Sequence, residues 1–95
     1  MKSSVSVTFP SMFVGGFQGT LQLEIARDGM VVRELLKTLF ERYPEIKSQI
    51  VDNNYRLNRF VIICVNNNDI RFQNNLDTII LARDEISIIK LISGG

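Results

Sequence analysis

Along this chain the spacing of apolar positions changes several times, and each change marks an element. Residues 4–9 alternate, with Val5, Val7 and Phe9 on one side and Ser4, Ser6 and Thr8 on the other, which is the period of a half-buried strand. Pro10 ends it. Leu21, Leu23 and Ile25 alternate with Thr20, Gln22 and Glu24 in a second strand, and the connection containing Gly15, Gly16 and Gly19 makes the two a long-looped hairpin. From Val32 the period lengthens. Val32, Leu35, Leu36, Leu39, Phe40 and Tyr43 share one face of a helix, Asp28 is placed to cap it, and Arg33, Glu34, Lys37, Glu41 and Arg42 form its solvated side. Pro44 closes this helix, because the residue before a proline is steered out of helical geometry. Ile46 and Ile50 predict a second short helical turn, followed by a polar loop over 52–55.

Residues 60–65 (Phe-Val-Ile-Ile-Cys-Val) form a β-type run, and the cluster Asn66-Asn67-Asn68-Asp69 supplies the turn that ends it. Ile70 and Phe72 flank Arg71 in a brief alternation that predicts an edge strand pairing back, with Leu76 as a plug beneath the next loop. The last strand runs from Glu85 or Ile86 to about Ile92. This order predicts an α+β domain, a mixed sheet of four to five strands packed on one main helix. Its expected core is Val5, Val7, Leu21, Leu23, Leu35, Leu36, Leu39, Val61, Ile63, Val65, Ile86 and Ile88. The third and last strands are apolar on both faces, which leaves Ile62, Cys64, Ile89 and Leu91 with no helix to cover them. Such a patch on a small domain predicts a partner-docking surface.

Composition narrows the chemistry. The chain has 95 residues, enough for one core, and is 45% apolar and 22% charged, so it is expected to fold. Eleven Lys and Arg against ten Asp and Glu are scattered along the sequence, without the basic footprint of a nucleic-acid binder. No apolar run is long enough to span a membrane, and residues 1–4 lead straight into an alternating segment, so a cytoplasmic protein is expected. With no His and Cys64 as the single cysteine, neither a His-dependent triad nor a structural zinc site can be assembled. Cys64 itself reads as a small buried-type hydrophobe, the alternative being a thiol activated by a neighbouring charge. The glycines at 15, 16 and 19 lack the following Lys-Ser/Thr of a phosphate loop. An autonomous enzyme is therefore not expected, and no bound cofactor or metal.

Beyond the last strand come Ser93, Gly94 and Gly95, a tail without packing groups. Residues 1–92 are thus expected to be the domain and 93–95 a flexible extension. A sheet-and-helix domain ending in Gly-Gly resembles the ubiquitin-like sulfur carriers, represented by the small subunit of molybdopterin synthase and the thiamin-biosynthesis carrier. The resemblance is carried by Leu35 to Pro44, Arg59-Phe60-Val61, Val65-Asn66, Asp69-Ile70-Arg71-Phe72, Leu76-Asp77-Thr78 and Asp84 to Ile89. The Phe-Val, Val-Asn and Asp-Ile-Arg-Phe pieces are also similar to the branch that carries sulfur for cysteine biosynthesis. The resemblance implies a ubiquitin-like β-grasp fold and a protein cosubstrate. It further implies an ATP-using adenylating enzyme, similar to ubiquitin-activating enzymes, that activates the Gly95 carboxylate, and an acceptor enzyme that takes sulfur from the resulting thiocarboxylate. Two other readings share the fold: a ubiquitin-like modifier joined to lysines through Gly95, and an interaction module whose tail is incidental.

Overall fold

The computed structural model of the chain describes residues 3–9, 19–25 and 29–91. Its elements are β1 (Ser3–Phe9), β2 (Gly19–Ile25), β3 (Met30–Val31), α1 (Val32–Arg42), α2 (Lys47–Ile50), β4 (Val61–Val65), β5 (Asn68–Asp69), β6 (Ile79–Ile80) and β7 (Glu85–Lys90), with single 3₁₀ turns at Pro44–Ile46, Ile70–Phe72 and Asn75–Asp77. Five strands form one sheet in the order β2-β1-β7-β4-β5. β1 and β2 are the antiparallel hairpin expected, whereas β1 and β7 run parallel, with Val7 opposite Ile86. The sheet is therefore mixed, as the order of elements required.

One core lies between the sheet and α1. From the helix come Val32, Leu35, Leu36, Leu39 and Phe40, and from the sheet Val5, Val7, Phe9, Leu23, Val61, Ile63, Val65, Ile86 and Ile88, all buried. Of the expected core only Leu21 is less than fully enclosed, packing against the rim of the cluster. On the other face of β1 and β2 the polar side chains bond to one another: Gln22 donates to the Ser6 hydroxyl at 2.8 Å, and the Thr8 and Thr20 hydroxyls lie 3.2 Å apart. Ile46 and Ile50 are buried and Leu76 plugs the loop before β6, both as the spacing predicted. No helix among the described residues is long and apolar enough to cross a membrane.

Three local readings need correction. The N-cap of α1 is Val31, whose backbone N–H donates to the Glu34 carboxylate at 3.3 Å, and the first helical N–H, that of Val32, is taken by the Thr78 carbonyl at 3.0 Å. Asp28, the expected cap, precedes this start and lies outside the described residues. The edge strand is Asn68–Asp69, not the Ile70–Phe72 piece: Asn66 and Asn67 turn the chain at φ of 52° and 71°, conformations that asparagine tolerates, so pairing back begins two residues early. Asp69 then accepts the Arg71 N–H at 2.9 Å and turns 70–72 into 3₁₀, which buries Ile70 and leaves Phe72 86% exposed. Finally, β3 and β6 pair as a two-stranded ribbon, Met30 with Ile80 and Val31 with Ile79. Strands of two residues show no period for a sequence reading to find.

Candidate functional site

The end of β7 is the place the sequence singled out, because residues 93–95 follow it. Ser93, Gly94 and Gly95 lie outside the described residues, as does Ile92, so the geometry available is that of the tail's root. β7 lies in the interior of the sheet between β1 and β4, and its register with β4, Val61 opposite Lys90 and Ile62 opposite Ile89, fixes where the chain leaves. The ladder is extended by one more bond, Leu91 N–H to the Phe60 carbonyl at 2.6 Å. On the helix side the Lys90 ammonium donates to Gln49 Oε1 at 2.8 Å, which ties the same point to α2. The end of β7 is thus held from two sides.

On the sheet face turned away from α1, the structure brings Ile62, Cys64, Ile89 and Leu91 together. Ile62 pairs directly with Ile89, and Cys64 with Ser87. The patch is less open than the sequence suggested: Ile62, Cys64 and Ile89 are half-buried by their neighbours, and Leu91 is exposed at 41%. Phe60, 38% exposed, alternates in step with Ile62 and Cys64 and bonds across to Leu91, so it adjoins the same face. The sequence reading missed it, although the alternation 60, 62, 64 already pointed to it. The Arg59 guanidinium lies 4.9 Å from the Phe60 ring centroid, a cation–π contact at this edge. Burial, with the nearby Asp69 charge, pushes the Cys64 thiol above its ordinary range, so Cys64 behaves as the small hydrophobe expected and not as an activated nucleophile.

Three of the eleven basic residues, far apart along the sequence, come together in space. Arg33 from α1, Arg56 from the loop after α2, and Arg71 from the 3₁₀ turn after β5 line one pocket of about 470 Å³, together with Tyr55, Leu57, Ile70, Asn74, Asn75, Leu76 and Asp77. Arg71 Nη2 donates to the Val61 and Arg59 carbonyls at 2.7 and 3.3 Å, satisfying the edge of β4 beyond the short β5. Tyr55 stands at the wall with φ of 60°, and its hydroxyl is buried without a hydrogen-bond partner. For a bulky residue such a backbone costs about 1–3 kcal/mol, and an unpaired buried hydroxyl adds a cost of similar size. The Arg33 and Lys47 cations lie 6.0 and 5.6 Å from the ring centroid.

Known proteins share this architecture over the whole chain. A protein named sulfur carrier protein CysO, from Mycobacterium tuberculosis, is 29% identical over 94 residues, covering 97% of this chain and 99% of the relative. The solution structure of small archaeal modifier protein 1 from Methanosarcina acetivorans superposes with a TM-score of 0.74 at 28% identity, covering 100% of this chain and 99% of that one. A chain of the BexX/CysO complex of Amycolatopsis orientalis matches with a TM-score of 0.74 at 26% identity, over 96% of this chain and 99% of that one. These are ubiquitin-like β-grasp proteins, which settles the fold class. The family model described as ThiS family matches residues 16–95, a stretch that takes in α1, the whole of β4 to β7 and the terminal glycines, and the chain belongs to that family.

Proposed function

We propose that this protein is a sulfur carrier whose reactive group is the Gly95 carboxylate. The observation that carries the reading is that the family match runs through residue 95, so that Ser93-Gly94-Gly95 falls within the matched region. A carboxylate is a poor electrophile until it is activated. In the proposed cycle it attacks the α-phosphorus of ATP on an adenylating partner and releases pyrophosphate. A sulfur nucleophile then displaces AMP from the acyl adenylate and leaves a terminal thiocarboxylate, which an acceptor enzyme consumes. The carrier acts as cosubstrate and supplies no catalytic side chain. Glycine at 94 and 95 suits a tail that must thread a narrow channel without a Cβ. The root pinned by Leu91 and Lys90 gives that tail a fixed origin, and the face of Phe60, Ile62, Cys64, Ile89 and Leu91 beside it is the surface we assign to partner docking. Among molybdopterin, thiamin and cysteine as destinations, the relatives named CysO favour the cysteine branch.

A second reading is supported by the neighbour named small archaeal modifier protein 1: the same activated carboxylate joined to lysines of other proteins. One experiment separates the two. The purified chain is incubated with ATP, its cognate adenylating enzyme and a sulfur donor, and its intact mass is measured. Replacement of one oxygen by sulfur, localised to the C-terminal peptide, is expected. An unmodified tail overturns the carrier reading, and isopeptide adducts on cellular proteins in place of a free thiocarboxylate transfer the assignment to the modifier.

A further inference from the structure

The arginine-lined pocket has no part in the tail chemistry proposed above. Three guanidinium groups and one carboxylate line it, so it carries two positive charges in excess. The carboxylate, Asp77, is only weakly engaged, at 3.4 Å from Arg33 Nε. Arg71 is oriented by the two β4-edge carbonyls its Nη2 donates to, which leaves its remaining N–H groups for another acceptor. Arg56 is exposed and lies near enough to Asp52 to help lower that carboxylate's pKa, behind the backbone N–H bonds Asp52 accepts, but forms no ion pair with it. These donors come from three segments far apart in sequence, and only the fold brings them together.

We infer that this pocket binds a small-molecule phosphate monoester, its phosphoryl group held by Arg33, Arg56 and Arg71 and its organic body resting on Tyr55, Leu57, Ile70 and Leu76. Charge selects the headgroup. A phosphate monoester carries about −1.5 to −2 at neutral pH and offers three acceptor oxygens, matching the excess of two positive charges, whereas a single carboxylate leaves one uncompensated. Guanidinium forks match phosphate geometry in pairs. Size selects the body: about 470 Å³ is far more than a bare phosphate fills, and Tyr55 and Leu57 are among the residues that line it. Tyr55, with its unpaired hydroxyl and left-handed backbone, lines the same pocket, and the Arg33 guanidinium lies 6.0 Å from its ring centroid. This site is independent of the sulfur-carrier reading.

The test is a titration of the full ¹⁵N-labelled chain followed by amide NMR shifts, with phenyl phosphate as probe, inorganic phosphate as the headgroup alone, and benzoate as the same ring bearing a singly charged carboxylate. Saturable shifts confined to residues 33, 55–57 and 70–77 are expected, with phenyl phosphate binding more tightly than either of the other two. Arg56→Glu should weaken it about tenfold or more, while Arg42→Glu, the same charge change at the far end of α1, should leave it unaltered. Retained shift dispersion in both variants establishes that they fold. Benzoate binding as well as phenyl phosphate, non-saturating shifts spread over all basic residues, or equal loss in both variants would overturn the inference. A hexaglutamate peptide binding more tightly than phenyl phosphate would also overturn it and make the pocket a docking point for an acidic protein segment.

Discussion

Leu39→Ala tests whether α1 holds the domain together as described. Leu39 is completely buried on the helix face turned to the sheet. The substitution removes three carbons, about 2.4 kcal/mol at roughly 0.8 kcal/mol per methylene. The void they leave brings the loss to about 2.7–5 kcal/mol, because strands on one side and helix on the other limit collapse. A domain of this length is stable by roughly 5–14 kcal/mol at about 0.05–0.15 kcal/mol per residue, so one side chain accounts for a large share. At about 4–8 °C per kcal/mol, a loss of about 3 kcal/mol lowers Tm by about 12–24 °C. Urea melts followed by far-ultraviolet circular dichroism should show the fall in midpoint with m unchanged. The internal control is Phe72→Ala: the sequence offers both as large hydrophobes, yet Phe72 is 86% exposed and its loss should stay within about 0.5 kcal/mol. A cost below about 0.5 kcal/mol for Leu39→Ala, or a larger one for Phe72→Ala, refutes the assigned helix face.

Thr78 is the one buried polar residue among those described; its hydroxyl donates to the Asn75 carbonyl at 2.7 Å and accepts the Asn74 N–H at 3.1 Å. Thr78→Val should therefore cost about 1–3 kcal/mol in the same melts, and an unchanged midpoint would remove the loop bridge from the account. Ile89→Asp should weaken binding of the adenylating partner by about tenfold or more, roughly 1.4 kcal/mol, while the domain stays folded; calorimetric titration showing unaltered affinity would take the sheet face out of the interface. Gly94→Ala should slow activation with Tm unaltered, and one residue added after Gly95 should abolish it, both read by intact mass. Equal thiocarboxylate formation by the extended chain would refute a terminal reaction centre. Because burial and the Asp69 charge raise the Cys64 pKa, less thiolate is present at pH 8 than in the unfolded chain. Iodoacetamide should then label native Cys64 several-fold more slowly than in urea, and equal rates would contradict the packing assigned to it.

Much of the fold could be read from period alone. Alternation found β1 and β2, apolar β-type runs found β4 and β7, and the helical spacing from Val32 to Phe40 gave the buried face of α1 residue by residue. What escaped was set by particular hydrogen bonds, one between distant segments and one local. Val31 caps α1 without a capping side chain because Thr78, far along the chain, accepts the Val32 N–H. Phe72 looked like a strand residue until Asp69 captured the Arg71 N–H and bent the backbone away. The same division runs through the functional surfaces. Ile62, Cys64, Ile89 and Leu91 were legible as one patch because two neighbouring strands each carried apolar residues on the wrong parity, whereas Gly94 and Gly95 lie outside the described residues. The arginine pocket was invisible, since residues 33, 56 and 71 share no period and meet only after the loop beyond α2 and the turn after β5 are laid side by side.

The parallel pairing of β1 with β7 has a consequence for biosynthesis. β1 finds one of its two sheet neighbours only in β7, so β1 and β2 wait as a hairpin with an open edge until residue 90 has been translated. Such a long-range closure is slow compared with local folding. It also ties closure of the sheet to the synthesis of β7. A product terminated before β7 would lack the strand that closes the sheet, and would remain unfolded and open to proteases. Every folded copy in the cell therefore reports, by being folded, that synthesis has passed the strand from which its tail extends.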